Sequence, residues 1–461
     1  MNRKQRRALA SAAEVHTVAG AKQQIEQAIA LHQQGQLGAA EALYRQILRQ
    51  NPQQVDALHF LGVLAAQRHD NEGAVKLISQ ALALNPHYAD AYNNLGNVLA
   101  AMARFDEAAT AYHRTIELAP SNLSAHCNLG IMLRRSGQFQ AAVAVCQQAL
   151  ALNPKLAEVQ LNLGKALVAL ERYEEAVVAH YEAIHLRPSY ASAYRSLGML
   201  LYRLDRKEEA IDLFQRWLEQ APDQPVARHM LAAHSGQDAP TRAEDAYVQE
   251  VFDGMADGFD AHLHRLNYRA PEWIVQEIAM MLGAPSRSLK VLDAGCGTGL
   301  CGPLLRPYAH HLCGVDLSPR MVAHARTRGS YDELVVAELT AFLIDRPAAY
   351  DLIVSADTLI YFGDLQPVLA AATAALRPTG WLAFTVERSE GEAREAFRLD
   401  RSGRYQHTEA YLRQELDRAA LAIKTLKTVD LRLEGGQPVV GYLVLAQRPG
   451  MASVTVPAKQ A

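Results

Sequence analysis

The sequence predicts two unlike domains: an all-α array of helical hairpins, then an α/β doubly wound domain. Three observations predict it. Proline recurs at Pro52, Pro86, Pro120, Pro154, Pro188 and Pro222, always 34 residues apart. Alanine keeps that step at Ala40, Ala74, Ala108, Ala142, Ala176 and Ala210, and Leu-Gly pairs keep it at Gly62, Gly96, Gly130, Gly164 and Gly198. From residue 289 the pattern changes to short apolar strands alternating with helical stretches, the signature of a mostly parallel sheet covered on both faces.

Bulk properties bound the rest. A chain of 461 residues exceeds one ordinary core, so two or three domains are expected. Hydrophobic residues at 49% and charged residues at 21% describe a globular chain. A formal charge of −3 gives no electrostatic reason to expect nucleic acid. No apolar run approaches the ~20 residues needed to cross a bilayer, so no membrane partner is expected. The start, MNRKQRRALA, has no apolar run behind its basic residues and so is no secretory signal; it reads as a solvated basic tail over 1–18, with a transit peptide as the other reading. Cys127, Cys146, Cys296, Cys301 and Cys313 are scattered and odd in number, which suits reduced thiols and a cytoplasmic setting. There is no CxxC pair, and no metal site is expected.

Each 34-residue unit holds two apolar helical stretches. Leu95, Gly96 and Leu99 lie on one, and Ala108, Tyr112 and Thr115 on the next. Small residues at the two fixed positions let the paired helices approach closely. The proline ends the second helix, because it lacks the N–H that a helix interior needs. This pattern resembles the tetratricopeptide repeat family over residues 19–222, which implies stacked helical hairpins in a superhelix with a groove for a peptide or protein. Asparagine precedes the Leu-Gly pair in three successive units, at Asn94, Asn128 and Asn162, with Phe60 and Ser196 at the same position on either side. An amide can accept one hydrogen bond and donate two, enough to hold a peptide backbone. The array is similar in this to that of the O-linked N-acetylglucosamine transferases. The other reading is that asparagine merely suits this helical position.

After Pro222 the period stops. Residues 227–234 suit a capping helix, so the array is expected over 19–235. SGQDAP at 235–240 is a loop signature, and 236–284 is expected to be a linker with a helical lead-in. Within it, Thr241 followed by Glu244 reads as a capping box, and 247–282 has a helical pattern ending at Gly283.

The second domain is expected over 285–449, with a flexible tail at 450–461. Its strands are read at 289–295, 312–318, 350–357, 381–387 and 439–447, with LVVAEL as the third in order and a helix over 364–376. The loop after the first strand, VLDAGCGTGLCG at 291–302, fits two nucleotide patterns. Gly297, Gly299 and Gly302 satisfy G-x-G-x-x-G; Asp293, Gly295, Gly297 and Gly299 satisfy D-x-G-x-G-x-G. Both want an acid after the second strand for ribose hydroxyls, and Asp316 serves either. Asp293 separates them. A carboxylate beside a pyrophosphate is repelled, whereas one beside the ammonium of a methionine moiety is attracted.

VLDAGCGTG, GVDLSPRMV (314–322), YDLIVSADTLIYF (350–362) and LRPTGWLAF (376–384) together resemble class I S-adenosylmethionine-dependent methyltransferases over about 285–448, a Rossmann-like fold. The resemblance implies that Asp293, Gly295, Gly297 and Gly299 form the turn that holds the methionine end of S-adenosyl-L-methionine. It implies that Asp316 takes the ribose hydroxyls, that Met321 packs on the adenine and that Glu338 meets the adenine amino group. Asp357 and Tyr361 would face the methyl group and its acceptor. Met321 also reads as a core methionine, and Glu338 as a solvated acid. His262, His264, Tyr361 and His407 are candidate bases. No DPPY- or NPPY-type tetrapeptide follows the fourth strand, which argues against nitrogen methylation of that type. The segment 388–430, with Arg394, Arg398, Arg401 and Arg404, either shapes the acceptor site or forms a solvated basic face. The expectation is a methyltransferase whose repeats recruit a protein or peptide. The alternatives are a small-molecule methyltransferase that uses its repeats for assembly, and a scaffold that only binds the nucleotide.

Overall fold

The computed structural model describes residues 22–389 and 396–450. The expected tails at 1–18 and beyond 450, and Arg394, lie outside the described residues. Contacts divide the chain into two compact units between Leu200 and Leu201. That division falls ahead of the expected array end at 235: the helices Lys207–Gln220 and Pro225–Ser235 group with the C-terminal residues.

The described residues of the first unit form helices joined by short turns. First helices of 13 residues (Val55–Gln67, Ala89–Ala101, Leu123–Arg135, Ala157–Ala169) alternate with second helices of 14 (Asn71–Leu84, Phe105–Leu118, Phe139–Leu152, Tyr173–Leu186). Each second helix stops two residues before its proline. The cap residue ahead of the ring is pushed out of the helical region, as at Asn153 with φ −146 and ψ 106. The periodic alanines are the contact points, from Ala40 to Ala210 all at most 1% exposed. Glycine is required where the paired helices touch. A Cβ at Gly96 would lie 2.7 Å from the Tyr112 ring, and one at Gly164 would lie 2.5 Å from His180.

In the second unit a sheet carries parallel strands in the order β3-β2-β1-β4-β5. These are β1 (Leu289–Ala294), β2 (Ala309–Asp316), β3 (Glu333–Val336), β4 (Tyr350–Ser355) and β5 (Leu376–Arg388). Further runs complete it at the β5 edge: the short β6 (Phe397–Leu399) and β7 (Tyr405–His407), and the long hairpin of β8 (Ala422–Glu434) and β9 (Gln437–Gln447), with β9 antiparallel to β5. The β8 strand has no counterpart among the strands read from sequence. Its alternation is broken by bulges at Ile423/Thr425 and Asp430/Arg432, which hides the two-residue period.

Side chains alternate between two cores. Leu292, Ile353 and Phe384 face one with Val368, Leu369 and Leu412, whereas Val291, Leu352 and Ala383 face the other with Ile274 and Ile278. Since β1 lies between β2 and β4, the winding reverses there. The carboxyl ends of β1 and β4 therefore open onto the crevice where ligands of such sheets bind.

The lead-in is not one helix. It breaks into Asp245–Met255, a 3₁₀ turn at Ala256–Gly258, Phe259–Arg265 and Ala270–Leu282. The expected capping box is absent. Glu244 is the N-cap and makes no side-chain cap bond. Thr241 instead gives its carbonyl to the N–H groups of Gly363 and Asp364, which pins the lead-in beside the loop after β4.

Candidate functional site

The turn after β1 carries three glycines between Gly295 and Gly299. Gly295, Gly297 and Gly299 have φ of +78, +53 and +86, a region that costs a side-chain-bearing residue about 1–2 kcal/mol. A Cβ at Gly295 would strike Thr358 Oγ1 at 2.0 Å, so the backbone of the turn packs directly against the Thr358 side chain of the loop after β4. At Gly297 the nearest atom to such a Cβ is 3.9 Å away, on Phe259.

Asp293 sits at the base of this turn and is 1% exposed. Its Oδ2 accepts from the Tyr331 hydroxyl at 2.6 Å, while Oδ1 is buried with no partner. Burial lifts its carboxyl to about 7, with the Asp316 charge acting the same way and the Tyr331 hydrogen bond opposing them. A buried carboxylate oxygen without a donor is costly unless a cation or donor arrives. Asp316 ends β2. Its Oδ2 accepts from the Gly297 N–H at 2.8 Å and its Oδ1 from the Ser318 N–H at 2.8 Å. These bonds fix the carboxylate at the rim of the turn. Burial raises it, and the two N–H groups pull the other way.

A second group of polar side chains lies after β4. Asp357 has φ +52, unusual for a residue other than glycine. The conformation is held: Thr385 Oγ1 takes the Asp357 N–H at 2.9 Å and donates to Oδ1 at 2.7 Å, and Arg432 Nη1 meets Oδ2 at 2.7 Å. Arg432 also pairs with Glu387, and with Glu434 at 2.8 Å. Arg404 pairs with Glu387 at 2.6 Å and with Glu434 at 2.7 Å. Three carboxylates thus share two guanidiniums at the ends of β4, β5 and β8. Burial raises Asp357, with Arg432 opposing it. At Glu434 burial also acts upward, but Arg404 and Arg432 hold it below the usual range. Asp357, Tyr361 and Tyr268 retain some accessible surface, yet burial is the first cause of each upward shift. Tyr268 feels the charges of both Asp357 and Asp293.

The lead-in packs against the turn after β1 and the helix Pro319–Thr327. Asp253 accepts from Ser318 Oγ, Asp257 pairs with Arg320 at 2.7 Å and His324 at 3.3 Å, and Asp260 pairs with Arg328 and accepts from Thr298 Oγ1. Phe252 packs edge-on against Phe259 at 5.8 Å and Tyr361 at 5.4 Å.

The other expected residues divide. Met321 is 0% exposed and lies in the core, the second of its two readings, so it offers no surface to an adenine. Glu338 caps the helix Leu339–Ile344 through the N–H groups of Thr340 and Ala341, and pairs with Arg242 at 2.5 Å. Its position at the carboxyl end of the sheet stands, but its oxygens are engaged. His262 is half-buried and feels Glu434, Arg432 and Arg404. His407 is corrected. It is fully buried, gives Nε2 to the Gly363 carbonyl at 3.1 Å and is depressed to about 4 by burial, so no acceptor can reach it. His264 is exposed. Among the arginines of 388–430, Arg404 joins the buried lattice, Arg401 pairs with Asp205 and Arg398 bonds Gln406. Sequence reading missed Tyr268, Tyr331, Thr385, Glu387 and Arg432. Thr385 and Glu387 share β5, the others lie on separate stretches of the chain, and none carries a motif. No sequence signal marked Arg432, because a bulge at Asp430/Arg432 breaks the alternation of β8 there.

In the repeats, Asn94 Nδ2 contacts His59 Nε2 at 2.9 Å, Asn128 Nδ2 donates to Asn97 Oδ1 at 3.2 Å and Asn162 Nδ2 donates to the Glu158 carbonyl at 2.9 Å. One amide N–H of each is used inside the array.

Comparison with known proteins agrees with this layout. A methyltransferase domain model matches residues 292–382, and a tetratricopeptide repeat model matches 25–89, 61–101, 93–157, 133–188 and 155–225. The ubiquinone biosynthesis O-methyltransferase of Leptothrix cholodnii is 28% identical over 128 residues, 26% of this chain and 51% of that protein. The malonyl-[acyl-carrier protein] O-methyltransferase of Enterobacter lignolyticus is 34% identical over 123 residues, 26% of this chain and 49% of its own. The human methyltransferase-like protein 27 is 38% identical over 89 residues, 19% and 36% of the two chains. The chain spans about half the length or less of these three relatives. Among solved structures, YrrB, described as a TPR protein with an unusual peptide-binding site, aligns with a TM-score of 0.36 at 22% identity, covering 40% of this chain and 96% of that one. Two sets of matches on successive parts of one chain, together with the β3-β2-β1-β4-β5 order, lead to one conclusion: the chain carries a tetratricopeptide repeat region and, behind it, a class I methyltransferase domain.

Proposed function

We propose that the chain is an S-adenosylmethionine-dependent methyltransferase with an oxygen nucleophile as acceptor, and that its repeats recruit the protein or peptide partner. The observation that carries the cofactor assignment is the buried, unpartnered Oδ1 of Asp293 beneath a turn of three left-handed glycines. A pyrophosphate would meet a carboxylate there; an ammonium would complete it. Asp293 and the glycine turn would hold the methionine end, and Asp316 the ribose hydroxyls. When bound, S-adenosylmethionine supplies an electrophilic methyl carbon activated by the adjacent sulfonium.

The chain's own residues then align and deprotonate. Asp357, clamped by Thr385 and Arg432, orients the acceptor hydroxyl through a carboxylate whose position is fixed before the acceptor arrives. His262 is neutral near pH 7 because burial lowers it, and it is the side chain beside the lattice able to take the proton. Tyr268, Tyr361, Phe252 and Phe259 exclude water. The relatives' names support an oxygen acceptor, and one of them names a substrate held on a carrier protein.

Calorimetric titration tests this. S-adenosylmethionine and S-adenosylhomocysteine should bind the wild type, and NADH should not. Asp293→Ala should weaken both by at least tenfold. Binding of NADH in place of the sulfonium compounds would reject the assignment.

A further inference from the structure

We infer that Tyr331 is a positioning residue for the methionine end of the cofactor: its hydroxyl anchors one oxygen of the Asp293 carboxylate and leaves the other for an ammonium. The inference rests on the reading that Asp293 meets that ammonium, and adds the side chain that sets its orientation and charge.

Tyr331 lies two residues ahead of β3, and its ring is walled by glycines from three places. A Cβ at Gly302 would lie 2.8 Å from the ring, and one at Gly299 or Gly314 would lie 3.0 Å from it. Gly299 is needed for its backbone as well, with φ +86. Gly302 opens the short helix Gly302–Leu305 and has no left-handed φ, so its backbone would accept a side chain. Space for the Tyr331 ring is the reason it carries none. The glycine that completes G-x-G-x-x-G is thus accounted for without a pyrophosphate.

This wall delivers the hydroxyl to Asp293. It donates to Oδ2 at 2.6 Å, while Oδ1 has no hydrogen-bond partner among the described residues. A hydrogen bond to a buried carboxylate favours its ionised form, and is stronger than one between neutral groups. The other groups around Asp293 do not help it ionise. Burial and the Asp316 charge push its carboxyl up to about 7, and Tyr331 opposes both. Tyr268, Cys296 and Cys301 feel the Asp293 charge and are themselves pushed up by burial, so they stay neutral. Burial and Asp293 push the Tyr331 hydroxyl up as well, so it remains a donor across the neutral range.

The sign of the effect follows. Without the hydroxyl the Asp293 carboxyl holds its proton to higher pH, and at pH 7 an ammonium meets a neutral acid. Raising the pH restores the carboxylate and with it the binding.

Calorimetric titration of the full chain with S-adenosylhomocysteine from pH 6 to pH 9 tests this for the wild type, Tyr331→Phe and Gly302→Ala, with a melting curve confirming the fold of each. Tyr331→Phe keeps the ring in its glycine wall and removes only the hydroxyl. Gly302→Ala keeps the hydroxyl but crowds it, since the added methyl would lie 2.9 Å from that oxygen. At pH 7 Tyr331→Phe should bind about tenfold more weakly than the wild type, and the gap should close to about threefold or less at pH 9. Gly302→Ala should show a loss of the same pH form, and decides alone should Tyr331→Phe not melt cooperatively. Equal affinities at every pH would overturn the inference and leave the Asp293 reading intact. A loss of one size at every pH would mean that the ring only packs, and would overturn it too. No binding by the wild type would overturn the underlying reading.

Discussion

Asp293→Asn isolates what the buried carboxylate costs and what it is for. The substitution keeps the shape and the Tyr331 contact but removes the charge. The Asp293 carboxyl stands at about 7 in the folded chain against an ordinary 3.8. The folded state therefore holds a proton that the unfolded chain has already lost. The cost is small near pH 4, grows as pH rises and saturates above 7. Each tenfold difference in proton affinity between the two states is worth about 1.36 kcal/mol, so the cost reaches about 4 kcal/mol at pH 8. Thermal unfolding of the ligand-free protein between pH 4 and 8 should thus show the wild type losing stability relative to Asp293→Asn. The gap in the melting of the second unit should be several degrees at pH 8. S-adenosylmethionine should reverse the ranking, because its ammonium stabilises the ionised wild-type carboxylate and gains little from the amide. Binding to the wild type should also tighten as pH rises toward 7. Parallel melting curves for the two proteins across this range would refute the reasoning, since they would mean that Asp293 is either solvated or permanently paired.

Three further outcomes follow from the same geometry. Arg432→Met should destabilise the second unit by about 3–5 kcal/mol, because Asp357, Glu387 and Glu434 lose a shared buried cation; a loss under about 1 kcal/mol in denaturant titration would show that the lattice is solvated. Gly96→Ala should cost about 1–3 kcal/mol by forcing a methyl into the Tyr112 ring, with hydrogen exchange rising first in Ala89–Leu118 and the cofactor affinity unchanged. In an assay with an oxygen acceptor, the rate should fall on the acid side only below the ordinary histidine range, since His262 is depressed. His262→Gln should remove that limb, and persistence of the limb would assign the base elsewhere.

The repeat register and the first strand with its turn were legible in the chain because both are short-range. A helix ends at a proline whatever surrounds it, and a left-handed turn needs glycine at Gly295, Gly297 and Gly299 for local steric reasons. The carboxylates Asp293 and Asp316 could be named because each closes an apolar strand. The acceptor side was decided only in three dimensions. Asp357 draws its partners from Thr385 and Arg432, 28 and 75 residues away, and β8, which carries Arg432, has a period masked by two bulges. His407 is attractive in sequence and inert in structure, because strand β7 turns it into the core against the Gly363 carbonyl. Met321 likewise goes inward, since the helix that carries it must bury an apolar side chain. Local chemistry sets turns, caps and repeat contacts; which charges meet, and which are sealed from water, is set by the packing of elements far apart in the chain.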